Sequence, residues 1–285
     1  MTEYDVPESL LEHARRFYAE GGEPAPPRPA ATVLLLRAAE PDAGSAAGPA
    51  RERPEGFEVY VIRRALAMTF GGVYAFPGGR VDPTDSEIHP AWSGPTPEEW
   101  GERLGLPADA AQAVVCAAAR EVFEEAGVLL AGPDADSVVG DVSDDAWEAT
   151  RNDLEARRLG FAGLLAARGL TMRSDLLLPW SRWITPEFEP RRFDTYFFLA
   201  LLPAGQRTRN VSTEADHTMW IRPREALRQA AAGDIAMLPP TVENLRAVAA
   251  CADLPQVLAA ARRRAIEPIL PRLNWLPDGR ARFVL

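Results

Sequence analysis

Lysine is missing from the chain: all 31 basic residues are Arg, against 41 Asp and Glu, for a formal net charge of −10 over 285 residues. Without a lysine amine there is no Schiff-base nucleophile, no phosphate-cradling P-loop lysine, no kinase strand lysine and no Ser-Lys dyad. The acidic surplus also repels polyphosphate backbones, so nucleic acid is not expected as a partner. Cysteine is scarce. Cys116 and Cys251 lie 135 positions apart with no CxxC pair, too few for a zinc ribbon or a disulfide framework, and both are expected as reduced thiols. No G-x-S-x-G occurs, which removes the nucleophile elbow of an α/β-hydrolase-type esterase. No run reaches the ~18 apolar residues of a membrane span. The opening MTEYDVPESL carries acids where a signal peptide needs positive charge, and the closing RFVL is not a peroxisomal address. A cytoplasmic protein without a membrane partner is expected.

What is present is a 47% apolar composition, ample for a packed core, and a length that allows one large decorated domain or two small ones at ~150 residues per domain. A Pro/Gly stretch, GGEPAPPRP at 21–29, separates a short amphipathic segment (Leu10, Leu11, Ala14, Phe17, Tyr18) from the rest of the chain. Apolar or alternating runs predict strands at 31–38, 57–64, 180–185, 193–202 and 217–222. The segment 40–56 between the first two reads as a polar, mobile surface loop. Helix formers ended by Gly127 predict a helix over 110–126. Residues 80–109 read as turn-rich and acidic, 129–178 as a mostly helical excursion, and 223–232, 241–250 and 254–265 as helices of a proline-broken tail.

The sharpest local signal is Arg120-Glu121-Val122-Phe123-Glu124-Glu125-Ala126-Gly127-Val128. On a helix Glu121, Glu124 and Glu125 share one face, with Ala118 and Val122 turned toward a core. Their mutual repulsion near a helix carboxyl end is unfavourable by a few tenths of a kcal/mol per pair, a penalty that a hard divalent cation would reverse. A plain solvated acidic face is the competing reading.

Taken with Phe76-Pro77-Gly78-Gly79 upstream, the segment resembles the Nudix hydrolase family, whose box pairs a Gly-Gly turn with an RE, apolar, any residue, EE, any residue, G helix. The resemblance implies an α/β/α sandwich around a mixed β-sheet, with an amino-terminal segment and linker at 1–29, the Nudix domain over 30–232 and a helical carboxyl-terminal extension over 233–285. It implies a Mg²⁺ or Mn²⁺ cofactor held by Glu121, Glu124, Glu125 and the Gly79 carbonyl, with Arg120 positioning Glu121 or a neighbouring loop. Glu214, six residues before Trp220, is the candidate for a further ligand or the general base, with His217 as an alternative base. Arg63, Arg64, Arg80 and Phe76 are candidates for binding substrate. The first half of the box departs from the pattern. Gly79 and Arg120 are 41 positions apart, 27 more than the family spacing, and Gln112 stands where an ancillary glutamate is expected eight before Arg120. Asp82, Asp85 or Glu87 is the candidate replacement.

Such a site cuts a diphosphate into two monophosphates with water, needing neither lysine nor a side-chain nucleophile. The insertion, RRFDTYFFLALL and MLPPTVENLRAVA resemble the subgroup that contains peroxisomal coenzyme A diphosphatases. Arg63 and Gly72 through Phe76 fit part of its signature, while Arg64 and Met68 depart from it. The implied substrate is coenzyme A or acyl-coenzyme A, yielding 3′,5′-ADP and (acyl-)4′-phosphopantetheine. The alternatives are NADH, ADP-ribose or another nucleotide diphosphate derivative, and, from a different class, a non-catalytic nucleotide-sensing module. The tail and insertions are expected to shape the pocket or a homodimer interface.

Overall fold

The computed structural model describes residues 3–6, 8–39, 56–66, 71–87 and 90–285. The loop expected at 40–56, apart from Gly56, lies outside them, as do Met68 and the side chain of Glu87. In chain order the elements are β1 (Glu3–Asp5), α1 (Glu8–Ala19), β2 (Arg28–Ala38), β3 (Phe57–Arg64), β4 (Val73–Ala75), β5 (Gly78–Arg80), α2 (Thr84–Glu87), β6 (Trp92–Ser93), α3 (Pro97–Leu104) and α4 (Ala108–Ala126). Next come β7 (Ala131–Gly132), α5 (Asp145–Glu155), α6 (Phe161–Ala167), β8 (Thr171–Arg173), β9 (Leu178–Ile184), β10 (Phe193–Leu201), β11 (Ala215–Ile221) and α7 (Pro223–Ala232). The chain closes with β12 (Ala236–Met237), α8 (Pro239–Ala249), α9 (Leu254–Arg262), β13 (Pro268–Ile269), β14 (Arg272–Trp275) and β15 (Ala281–Val284).

Side-chain alternation makes the central layer. In β2, Val33 and Leu35 face one way and Leu34 and Leu36 the other, all fully buried, as a strand covered on both faces requires. β10 runs parallel to β2, with Phe197 opposite Thr32, and Tyr196 and Phe198 join the first face while Phe197 and Leu199 join the second. The mixed sheet runs β12-β4-β3-β2-β10-β9-β13, with β11 paired to β3 and β5 to β2. On the first face lies α4, whose Ala117, Ala118, Ala119, Val122 and Phe123 are fully buried beside Trp147 and Phe161 of the excursion. Its run of alanines lets the helix axis approach the sheet closely. On the second face lie Ala226 of α7, Leu245 and Val248 of α8 and Val257 of α9. The result is an α/β/α sandwich. No helix among the described residues is long and apolar enough to cross a membrane.

The tail holds the helices expected of it, α8 and α9, and adds strands that were not expected. After α8 and α9 it turns to strands: β14 and β15 form a hairpin, Trp275 opposite Ala281, with β1 on the far side of β15. The reason is in the residues. Leu273 and Trp275, then Ala281 and Phe283, alternate with polar neighbours at a period of two, and Asp278-Gly279 supplies a turn with Gly279 at φ 82°. The amino-terminal segment is thereby stapled to its own chain, where Leu11 and Ala14 pack with Phe188 and Phe283. Cys116 is buried and Cys251 half-buried, both as free thiols.

The insertion at 80–109 is more ordered than its composition suggests. Thr96 caps α3 through the Glu99 N–H while the Glu99 carboxylate accepts from the Thr96 N–H at 2.7 Å, with Pro97 opening the helix and Trp100 fully buried. This is a capping box, legible as Thr-Pro-Glu-Glu.

Candidate active site

Two glycines let a sheet edge and a helix end meet. β5 pairs antiparallel with β2, Gly79 opposite Ala31, and a side chain at Gly78 would bring a Cβ within 2.7 Å of the Thr32 Cα. A Cβ at Gly79 would sit 2.6 Å from the Glu121 carboxyl carbon. Only glycine admits such approaches, because a real Cβ does not come that near a heavy atom. The Gly78 N–H then donates to Glu125 Oε2 at 2.7 Å, fixing the carboxylate from the strand side.

Arg120, on α4 and itself buried, holds the other acids. Its Nε and Nη2 donate to the two oxygens of Asp85 at 2.9 and 3.0 Å, and Nη2 also to the Arg80 carbonyl at 2.9 Å. Nη1 donates to Glu121 Oε1 at 2.7 Å and to Glu124 Oε1 at 3.1 Å. A bidentate guanidinium–carboxylate pair of this kind sets orientation as well as charge. Of the candidate replacements for the missing glutamate, Asp85, six residues past Gly79, is the one paired with Arg120, while Gln112, at the position counted back from Arg120, is buried in the helix. Asp85 is not an exposed loop acid: it is 4% exposed. Asp82 lines the adjoining cavity and pairs with Arg157 at 3.2 Å.

Burial governs the electrostatics. It pushes the Glu121 carboxyl up to about 7, against the lowering effect of Arg120 and with the help of Glu124. Glu125 is pushed well above the usual range by burial and then by the Glu121 charge, although the Gly78 N–H works the other way. Burial likewise raises Glu124 and Asp85. For Arg120, burial opposes the charged form, but Glu121 and Asp85 outweigh it and the group stays cationic. Carboxyls raised by burial and by one another are short of positive charge.

That shortage is where a cation fits. Among the described residues no three His, Cys, Asp or Glu side chains already enclose a metal position; Glu121 and Glu124 each turn one oxygen to Arg120 and Glu125 turns one to Gly78. Each carboxylate nonetheless has a second oxygen outside those bonds. An all-oxygen donor set suits a hard divalent ion such as Mg²⁺ or Mn²⁺.

The carboxylates lie in the wall of a cavity of about 530 Å³. Of the residues expected on substrate, Arg64, Arg80 and Phe76 line it together with Gly79, Arg120 and Glu214. Arg63 does not. Neighbouring strand residues face opposite ways, and Arg63 pairs instead with Asp216 at 2.6 Å. Glu214 is exposed just ahead of an irregularity in β11, its N–H held by the Ser212 hydroxyl at 3.1 Å and its carbonyl by the Ala65 N–H at 2.8 Å. His217 meets the ring of Tyr74 edge-on at 6.2 Å and is not among the lining residues. Several lining residues were not anticipated from sequence: Arg157 and Leu159 after α5, Arg191 before β10, and Leu238, Pro240 and Thr241 at the start of α8. Only chain folding brings these stretches together.

A family model described as the NUDT19 Nudix domain matches residues 95–248. The chain is 30% identical to a NUDIX hydrolase from Alicyclobacillus acidocaldarius of known crystal structure, with a TM-score of 0.65, covering 86% of this chain and 99% of that one. The chain belongs to the Nudix hydrolase family. Within it, the chain is similar to the human acyl-coenzyme A diphosphatase NUDT19, 28% identical over 88% of this chain and 75% of that protein. It is also 28% identical to a Caenorhabditis elegans protein assigned as nudix hydrolase 7, over 66% of this chain, and spans 54% of that protein's length.

Proposed function

We propose that this chain hydrolyses the diphosphate bond of a nucleoside diphosphate-linked small molecule, with coenzyme A or an acyl-coenzyme A as the substrate and 3′,5′-ADP and (acyl-)4′-phosphopantetheine as products. The observation that carries the reading is the set of three carboxylates, Glu121, Glu124 and Glu125, presented by one helix face to a cavity, each with one oxygen fixed and one outside those bonds. The similarity to a protein named acyl-coenzyme A diphosphatase supports the substrate.

Glu121, Glu124 and Glu125 would hold a divalent cation, Mg²⁺ or Mn²⁺, with the carbonyl of Gly79, packed against Glu121, as a further ligand, and the cation would supply Lewis-acid polarisation of a phosphoryl oxygen and a lowered pKa for bound water. Arg120 keeps two of the carboxylates aimed. Arg64 and Arg80 pair with phosphate oxygens of the substrate through planar guanidinium groups. Glu214, in the cavity lining, takes the proton from the attacking water. The water oxygen bonds one phosphorus, the bridging oxygen leaves on the other, and two phosphomonoesters result.

Anion-exchange separation of products after incubation with Mg²⁺ and coenzyme A, an acyl-coenzyme A, NADH or ADP-ribose tests this. Release of 3′,5′-ADP from coenzyme A is expected. Cleavage of NADH or ADP-ribose alone would move the substrate and keep the reaction. Turnover of none, with Mn²⁺ also tried, would leave a nucleotide-binding module.

A further inference from the structure

Arg157 is the one non-glycine residue at positive φ among the described residues, at 56°. Helices α3, α4 and α7 end on Gly105, Gly127 and Gly233 in the same left-handed region, at φ 67°, 67° and 80°. At the end of α5, Ala156 closes the helix and the Arg157 N–H donates to the Leu154 carbonyl at 2.8 Å. A Cβ in this conformation crowds the backbone, so glycine is the stable choice and a long side chain is a disfavoured one.

Local contacts do not account for the arginine. Its side chain is 67% exposed, and its ion pair with Asp82 is 3.2 Å long. An exposed pair of that kind contributes little. Nor is a cation missing at this helix end, where Arg158 already pairs with Asp153 at 2.6 Å. What distinguishes Arg157 is its place in the cavity lining, which it shares with Asp82 and with Arg191 from a distant stretch of chain. Asp82 is tied to the catalytic frame: its Oδ1 accepts from the Thr84 N–H and hydroxyl, both at 3.1 Å, and its own N–H donates to Asp85 Oδ2 at 2.8 Å. Asp85 in turn holds Arg120.

We propose that Arg157 is a substrate-binding residue whose guanidinium leaves Asp82 to pair with phosphate oxygens of the bound substrate, and that its left-handed backbone is retained for that contact. This rests on the diphosphatase reading. Asp82 parks the guanidinium at the cavity wall until substrate arrives. Two phosphates of coenzyme A share the required chemistry, the scissile diphosphate and the 3′-phosphomonoester, and dephospho-coenzyme A lacks the second.

The test compares the wild type with Arg157→Gly and Arg157→Lys in steady-state kinetics on coenzyme A and dephospho-coenzyme A, alongside thermal unfolding. Glycine relieves the backbone, so Arg157→Gly is expected to raise Tm by about 2 °C while KM rises about tenfold and kcat falls far less. Arg157→Lys, which keeps charge but not the fork, is expected between the two in KM. A penalty confined to coenzyme A assigns the contact to the 3′-phosphate, and an equal penalty on both compounds assigns it to the diphosphate. An unchanged KM on both overturns the proposal, and so does a lowered Tm, which would make Arg157 a structural residue. If the wild type cleaves neither compound, the diphosphatase reading fails separately. Calorimetric titration with ADP then decides for Arg157: weaker binding by Arg157→Gly supports it, and equal binding or none by either protein overturns it.

Discussion

The two walls of the cavity are built differently. On the α4 side every acid is held by a named donor, Glu125 by the Gly78 N–H and Glu121 and Glu124 by Arg120, within one stretch of chain and a Gly-Gly turn. A second set of lining residues, Phe193, Phe197, Leu238, Pro240 and Thr241, comes from two distant stretches and offers apolar surface with a hydroxyl. The first wall is charged and tied together by these hydrogen bonds. The second is assembled from a strand and from the segment that opens α8. On the proposed function, the acids of the first wall would set the reaction and the second wall would contribute to the choice of substrate.

The largest expected effect breaks the first wall. Glu125→Gln keeps an oxygen to accept from Gly78 but removes the charge, and divalent-dependent turnover is expected to fall on the order of 10³-fold or more with the fold retained, measured as kcat beside circular dichroism. Arg120→Ala leaves Asp85 buried without its cation. Stability is expected to drop by about 3–5 kcal/mol in urea unfolding. Gly79→Ala forces the Glu121 carboxyl to shift, since the new Cβ would lie 2.6 Å from its carbon, and should weaken metal affinity or activity by about 10–100-fold.

A pH measurement sharpens the same wall. Glu121 is raised in the folded state to about 7 from an ordinary carboxyl value, so its stabilising share is full below the unfolded value and lost as pH rises through about 7. Metal-free Glu121→Gln should therefore unfold at a higher temperature than the wild type at about pH 8, the gap closing toward about pH 5. The smallest effect belongs to the second wall: Leu238→Ala should raise KM a few-fold and leave kcat nearly as it was, because apolar contact made equally in ground and transition states affects binding alone.

The division between the walls also decides what could be read in the sequence. The α4 carboxylates, Arg120 and the Gly-Gly turn sit at fixed local spacings, and β2, β3 and β10 announced themselves by apolar runs. Asp85 was one of three candidates because its link to Arg120 spans 35 residues, through an insertion whose order depends on the capping box at Thr96 and the burial of Trp100. Of the two adjacent arginines, Arg63 fits the subgroup signature and Arg64 departs from it, yet strand alternation puts Arg64 in the cavity lining and leaves Arg63 paired with Asp216. The strands of the tail were written in a period-two pattern that proline-rich surroundings masked as broken helix. Leu238 and Arg191 lie in segments that carry the subgroup resemblance, but nothing local marks them, or Arg157, as cavity-lining; that placement comes from tertiary contact.

Titration of metal-free protein with Mn²⁺, followed by the loss of the free-ion electron paramagnetic resonance signal, tests the central claim most directly when the wild type is set beside Glu125→Gln. Saturable binding by the wild type that Glu125→Gln loses is the predicted result. Equal binding by both proteins would contradict the assignment of the α4 carboxylates as the metal site.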